Sequence, residues 1–233
     1  MKKNKHLIIG AGEVGSSLYG VLNKHYPVWL RDKNNDLSGR FEVLHIAYPP
    51  VKNFIKITKD YIKEYKPKLV VIHSTVPIGT TKRIAPFAVH SPIRGIHPRL
   101  ADGIKTFVKY FGGRDAIKAS RYFSAIGIKV ENFKNPETTE LLKILDTAYY
   151  AWNIIFAKET KRICDKFGLD FGEVYTIANQ DYNDGYKKLG MPYVARPILR
   201  AVPGKIGGHC LIPNCNFLND WLTTTIKQRN KKY

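Results

Sequence analysis

His6-Leu7-Ile8-Ile9-Gly10-Ala11-Gly12-Glu13-Val14-Gly15-Ser16-Ser17-Leu18 is the stretch on which the reading of this chain turns. A short apolar run predicts a buried strand, which breaks into Gly10-x-Gly12-x-x-Gly15 ahead of small and apolar residues able to continue as a helix. Gly10 permits the tight turn, Gly12 lets a pyrophosphate reach the backbone, and Gly15 lets the helix pack close to the strand. Glu13 and Val14, inside the motif, join the glycines as candidate cofactor contacts.

A glycine motif of this kind is weak alone, so its context decides. Tyr26-Pro27-Val28-Trp29-Leu30-Arg31-Asp32 reads as a second strand ending in an acid about 20 residues past the glycines, the distance expected for a carboxylate on the adenosine ribose. That spacing favours NAD. Arg31 and Lys33 flank the acid and offer a 2′-phosphate partner instead, and Asp32 can also be read as a turn former ahead of Lys33-Asn34-Asn35-Asp36.

Further along, Phe41–Ala47 predicts a third strand, stopped by Tyr48-Pro49-Pro50 at the carboxyl edge of the sheet, where nucleotides bind. Tyr48 and Pro49 are therefore candidate cofactor neighbours. A helical stripe over Val51–Lys66 ends at Pro67, and Leu69–His73 predicts a buried strand. It leads to the hydroxyl-rich turn Ser74-Thr75-Val76-Pro77-Ile78-Gly79-Thr80-Thr81, where Ser74 and Thr75 can bond a ligand or cap the next helix. Phe87–His90 is a short strand followed by a loop carrying Arg94, His97 and Arg99, read either as an anion-facing substrate loop or as arginines paired with surface acids. Strands over Thr106–Gly113 and Ile128–Phe133 flank a helix over Ala116–Ile126.

This alternation argues an α/β fold: an N-terminal Rossmann-type, doubly wound parallel sheet over residues 1–133, then a smaller all-helical domain over 134–233. Glu137–Phe167 contains neither proline nor glycine and repeats apolar residues at helical spacing, predicting one long helix ended by Gly168. So long and aromatic a helix suits a homodimer contact. Phe171–Asn179 predicts a shorter helix, and Gly185, Gly190, Pro192, Pro197, Pro203 and Gly204 mark a loop-rich passage.

At 233 residues the chain can bury one large core or two modest ones, and two unequal parts are expected. It holds no apolar run long enough for a bilayer, and Met1-Lys2-Lys3-Asn4-Lys5 leads into the first strand without a signal-peptide pattern, so a cytoplasmic protein is expected. Three cysteines, Cys164, Cys210 and Cys215, do not suggest a disulfide framework, and no metal site is expected. The formal charge of +19 favours anionic partners such as nucleotide sugars, while nucleic-acid binding would rest on charge alone.

Val202-Pro203-Gly204-Lys205-Ile206-Gly207-Gly208-His209-Cys210-Leu211-Ile212-Pro213-Asn214 adds a second signature. Together with the Gly-x-Gly-Glu-Val-Gly turn at 10–15, Ser-Thr-Val-Pro-x-Gly-Thr at 74–80, and Glu140-x-x-Lys143 opening a long helix that ends near Cys164 and Gly168, it resembles the UDP-glucose/GDP-mannose dehydrogenase family. The resemblance implies NAD as cofactor and a two-step oxidation of a nucleotide-sugar alcohol to a carboxylate, in polysaccharide biosynthesis, with a cysteine holding the aldehyde as a thiohemiacetal and then a thioester. Cys210 matches the nucleophile, with His209 beside it as a candidate substrate contact, and Lys143 matches the helix lysine that touches substrate oxygens. A pair with Glu140 or Asp146 is the other reading of Lys143.

Three positions depart from the family. Thr147 stands where asparagine is usual and Asn214 where aspartate is usual, and the loop that commonly carries an acid/base glutamate has Arg99. Without those carboxylates, thioester hydrolysis lacks a base for water, so the second oxidation is the weaker expectation. Family members also continue into a third, nucleotide-sugar-binding domain, which this chain is expected to lack. The alternatives are a non-catalytic NAD-binding or assembly protein, or one half of a two-chain dehydrogenase.

Overall fold

The computed structural model describes residues 4–33 and 37–233; the start Met1–Lys3 and most of the polar turn, Asn34–Asp36, lie outside the described residues. The chain divides into two compact units, Met1–Lys143 and Ile144–Tyr233.

In the first unit, β1 (His6–Ile9), β2 (Val28–Arg31), β3 (Val43–Ile46), β4 (Leu69–Ile72), β5 (Ala88–His90), β6 (Lys109–Gly112) and β7 (Val130–Phe133) form one sheet in the order β2-β1-β3-β4-β5-β6-β7. The strands are short apolar runs, and alternate side chains enter opposite faces. Ile8, Val43, Leu69, Val71 and Val89 pack with Leu18, Leu100, Ile104 and Phe123, which come from α1 (Glu13–Leu22), α4 (Leu100–Thr106) and α5 (Ala116–Ser124). Leu7, Ile9, Leu44, Ile46, Val70 and Ile72 pack with Phe54, Tyr65 and Ile84 from α2 (Phe54–Tyr65) and α3 (Thr80–Ile84). The sheet is thus doubly wound, as the strand–helix alternation implies. One junction departs from a wholly parallel sheet: β6 meets β5 antiparallel through the single pair His90↔Gly112, and β7 then follows β6 in parallel. The chain between them folds into α4, a short helix absent from the sequence reading, and the strand expected from Thr106 begins only at Lys109.

The sheet interior carries a row of histidines. His6 Nδ1 lies 2.9 Å from His45 Nε2, and His45 Nδ1 lies 2.9 Å from His73 Nε2. His73 Nδ1 donates to the Ser91 carbonyl at 2.8 Å, which fixes the proton of all three rings on Nδ1. Lys109 Nζ closes the row with a donor to the same carbonyl at 3.2 Å. Burial holds His45 and His73 well below the usual histidine range, lowers His6 to about 4 and lowers Lys109 to about 7.

The long helix α6 (Pro136–Phe167) is as the proline-free, glycine-free run predicts. Gly168, at φ +67°, ends it: Leu169 N–H donates to the Cys164 carbonyl at 2.9 Å and Gly168 N–H to the Asp165 carbonyl at 3.3 Å, the Schellman pattern. The next helix runs further than the sequence reading of 171–179. A π-helical turn, Gly172–Ile177, continues without a break into α7 (Ala178–Lys188). Gly185 sits inside α7, whereas Gly190, at φ +72°, stops it with the same bond pair, Met191 to Tyr186 and Gly190 to Lys187. A helix interior tolerates glycine at a modest cost, so the first glycine was no stop signal.

In the second unit α8 (Leu211–Asn214) and α9 (Trp221–Asn230) join α6 around a small core of Ala148, Ala151, Cys215 and Ile226. The basic C-terminal segment 227–232 lies largely within α9. Asp220 caps α9, its carboxylate accepting from Leu222 N–H at 2.9 Å while Thr223 Oγ1 accepts from Asp220 N–H. Among the described residues no helix is long and apolar enough to cross a membrane.

Candidate functional site

The sheet order reverses between β1 and β3, and the ligand edge of such a sheet lies at the carboxyl ends of the strands flanking that switch. The Gly10–Gly15 turn stands there. Gly10, at φ +102°, faces the chain leaving β3: a β-carbon on it would lie 2.8 Å from Tyr48 N. Gly15 is closed on the other side, where a β-carbon would stand 1.8 Å from the Gly10 carbonyl oxygen. Gly12 has open space, with nothing within 4 Å of such an atom. It is also the residue before α1, whose first amide groups have no side-chain cap. The turn is therefore tight against the protein at two glycines and open at the third, which fits an anionic ligand approaching a helix N-terminus.

The surrounding candidates have distinct settings. Glu13 is paired with His97 across the turn, and Val14 packs on the core. Asp32 is exposed just past the end of β2. Arg31 is held by Glu64 at 2.7 Å and stacked 5.1 Å from the Tyr61 ring. Tyr48 bonds its hydroxyl to Thr58 Oγ1 at 2.6 Å, and burial pushes that phenol up to about 12. Pro49 is exposed beside it.

Ser74 and Thr75 follow β4, but Ser74 spends its hydroxyl on the Tyr48 carbonyl at 2.6 Å, tying together the segments that leave β3 and β4. Thr75 is half-buried. Neither hydroxyl caps α3. That work falls to Glu140, which is buried and accepts from Gly79 N–H at 2.6 Å and Thr81 N–H at 2.8 Å. Burial nonetheless raises the Glu140 carboxyl. His90 is fixed beside it, donating to the Ser74 carbonyl at 3.2 Å and accepting from Thr139 at 2.8 Å, and burial lowers it to about 3.

In the loop after β5, Arg94 lies over the Phe107 and Tyr110 rings, at 5.5 and 5.1 Å. Arg99 pairs with Asp102 at 2.8 Å on the exposed first turn of α4, the surface-acid alternative weighed for it from sequence. Lys143 is half-buried on α6.

The second unit carries the cysteine loop. Cys210 is half-buried and immediately precedes α8, its carbonyl accepting from Asn214 N–H at 3.0 Å. Its neighbour His209 is exposed. The two residues that depart from the family pattern meet each other: Asn214 Nδ2 donates to Thr147 Oγ1 at 3.4 Å, and Thr147 donates to the Ile144 carbonyl at 2.9 Å. Cys215 and Cys164 are buried; Cys215 bonds the Leu211 carbonyl, and burial pushes its thiol up.

Two residues of this loop went unnoticed in the sequence. Lys158 on α6 donates to the Val202 carbonyl and to the Gly204 carbonyl at 2.7 Å, and Asn230 on α9 bonds both backbone groups of Ile206. A lysine within a helical run reads as solvated surface unless its burial is known, so no sequence signal marked Lys158. Among the described residues no group of three or more His, Cys, Asp or Glu is placed to hold a metal ion.

The chain thus combines a Rossmann-type sheet with an open glycine turn and a helical unit carrying a cysteine at the head of a short helix. Residues 137–227 match the model of the UDP-glucose/GDP-mannose dehydrogenase family, central domain, the part of the chain that holds the Glu140-x-x-Lys143 and Cys210 motifs. A UDP-N-acetyl-D-mannosamine dehydrogenase of Methanococcus maripaludis is 27% identical over 188 residues, covering 77% of this chain and 39% of the relative. The chain thus spans well under half the length of the curated relatives it matches. Among solved structures, UDP-D-ManNAc dehydrogenase from Pyrococcus horikoshii superposes with a TM-score of 0.76 at 18% identity, over 98% of this chain and 68% of that one. A 3-hydroxyisobutyrate dehydrogenase from Mycobacterium tuberculosis has the same fold at a TM-score of 0.69 and 12% identity, over 99% of this chain and 93% of that one.

Proposed function

We propose that this chain is an NAD-dependent oxidoreductase of the nucleotide-sugar dehydrogenase type, oxidising an alcohol of a nucleotide sugar or related anionic substrate through a thiohemiacetal on Cys210. The observation that carries the reading is the open space over Gly12 at the head of α1, between two glycines closed against backbone. Residues 1–133 would form the NAD-binding domain, with Gly10, Gly12, Glu13, Val14, Gly15, Asp32, Tyr48, Pro49, Ser74 and Thr75 around the cofactor. Engagement of Arg31 by Glu64 and the tyrosine rings leaves Asp32 as the exposed group at that strand end, which favours a ribose with free hydroxyls over a 2′-phosphate. Bound NAD supplies the hydride acceptor.

The chain's own part begins with the aldehyde produced by the first oxidation. The Cys210 sulfur adds to its carbonyl carbon, a C–S bond forms, and the carbonyl π pair moves to oxygen. Lys143 steadies that oxygen or passes it a proton. Removal of a second hydride would leave a thioester. Thr147 and Asn214, bonded to one another, bring a hydroxyl and an amide where the family brings an asparagine and a carboxylate, so water lacks a strong base and hydrolysis is slow. Arg94, His97, Arg99 and His209 are the candidate substrate contacts. Residues 134–233 form the helical domain, and the exposed Leu145, Tyr149, Tyr150, Phe156, Ile163 and Phe167 of α6 suit a homodimer. Cytoplasmic location accompanies this reading.

The Thr147–Asn214 pair also favours a second reading, a binding or assembly protein, or one half of a two-chain dehydrogenase, that keeps the cofactor fold. The test is NADH formation with a panel of nucleotide sugars and small hydroxy acids, comparing the native chain with Cys210→Ser and Lys143→Ala. Turnover by the native chain that vanishes in both variants supports the enzyme. NAD binding with no turnover on any substrate supports the second reading.

A further inference from the structure

The loop that delivers Cys210 is fixed at two places before it reaches the cysteine. At the first, the buried Lys158 puts its ammonium between the Val202 and Gly204 carbonyls, with the Tyr233 ring 4.9 Å away on another side. Tyr233 is itself held, its hydroxyl donating to Glu159 at 2.8 Å, and Glu159 also takes Arg162 at 2.9 Å. At the second, the Asn230 side-chain oxygen accepts from Ile206 N–H at 2.6 Å while its amide donates to the Ile206 carbonyl at 3.4 Å. Asn230 is buried as well. Beyond Ile206 come Gly207 and Gly208, both with open space around them, and then Cys210 is anchored again through its carbonyl to Asn214 N–H. A diglycine between two fixed points has little freedom left.

A buried lysine and a buried asparagine are costly unless every donor and acceptor is used, and here they are spent on backbone groups of one irregular loop rather than on a helix or a sheet. Apolar side chains would hold α6 and α9 together equally well. We infer that Lys158 and Asn230 are positioning residues that set the exposure and reactivity of the Cys210 thiol by clamping residues 202–206. The inference rests on the reading of Cys210 as the reactive thiol, but its test does not need turnover.

The experiment is the rate of Cys210 alkylation by iodoacetamide between pH 6 and pH 9, located by peptide mass, in the native chain, Lys158→Met, Lys158→Arg and Asn230→Asp. Cys164 and Cys215 serve as buried internal controls. Lys158→Met keeps the aliphatic stem and removes the donors, and Lys158→Arg restores donors for both carbonyls. Freed of both hydrogen bonds from Lys158, the loop in Lys158→Met alkylates at Cys210 about fivefold faster or more, and Lys158→Arg returns to within about twofold of native. Asn230→Asp, which keeps the acceptor for Ile206 N–H but sets a carboxylate oxygen against the Ile206 carbonyl, gives a change in the same direction. Controls that stay protected place the effect in the loop. Alkylation of Cys210 at the native rate and with the native pH profile in a folded Lys158→Met chain overturns the inference. If Lys158→Met does not fold, native behaviour of Asn230→Asp overturns it in the same way. An inactive native chain with an accelerated Lys158→Met thiol would sink the dehydrogenase reading and leave the clamp standing.

Discussion

A β-carbon added at Gly15 would stand 1.8 Å from the Gly10 carbonyl oxygen, a distance no relaxation of a side chain relieves because both partners are backbone. Gly15→Ala must push α1 off β1, and we expect a loss of about 3 kcal/mol and a marked fall in melting temperature by calorimetry. Gly12→Ala meets nothing, and its φ of −67° suits alanine, so melting should move by a few degrees at most. Its methyl instead fills the space through which a pyrophosphate would come, and NAD affinity by isothermal titration should drop about tenfold or more. Equal NAD affinity in Gly12→Ala and native protein would remove the cofactor reading of this turn. These glycines were legible in the sequence because each has a backbone reason to be glycine. The contacts of Lys158 and Glu140 were not, even though Glu140 opens a recognised motif, since what they bond lies far along the chain and no spacing rule connects residue 140 to residues 79 and 81.

Elements tell a similar story in their ends. α6 was readable from Glu137 to Gly168 because a long run without breakers finishes at a glycine in the left-handed region, and α1 because a strand and a glycine turn frame it. α9 escaped notice: Thr223, Thr224 and Thr225 are weak helix formers, and its capping box closes with threonine in place of the usual glutamate or glutamine. α4 escaped for a different reason. Gly103 interrupts its pattern, yet the glycine is what allows the helix to touch the Arg94–Gly95 loop, where a β-carbon would meet the Arg94 carbonyl at 2.5 Å. Since the Asp220 carboxylate caps the first turn of α9, Asp220→Ala should cost about 1 kcal/mol. Denaturant unfolding measures it, and an unchanged midpoint would mean that Ile226 and the small core hold the helix without its cap.

For the whole molecule the buried histidines dominate the response to acid. His6 and His90, lowered to about 4 and about 3, and His45 and His73, held well below their usual range, stay neutral when folded but accept protons freely once unfolded. The unfolded chain therefore binds more protons below about pH 6.5, and stability present above that value is lost as pH falls toward 4. Each histidine kept neutral adds a slope of about 1.4 kcal/mol per pH unit in that window. Lys109 has the same sign in another range: lowered to about 7, it lets stability grow as pH rises from there toward the ordinary lysine range near 10.5. Melting temperatures recorded from pH 4 to pH 8 should fall steeply below pH 6, and a flat profile would contradict the neutral row. The sequence displayed His6, His45, His73 and His90 at strand positions but gave no hint that three of them line up, because adjacency across parallel strands depends on register.

The outermost strands of the sheet, β2 and β7, bear on how copies of this chain meet one another. Each is four residues long; Glu131 on β7 is exposed, and beside β2 Lys5 lies 5.8 Å over the exposed Trp29 ring. A row of unpaired backbone groups that short and that charged is a poor template for edge-to-edge strand addition, so crowding or partial heating should drive this protein toward reversible contacts through its helices before it seeds fibrils.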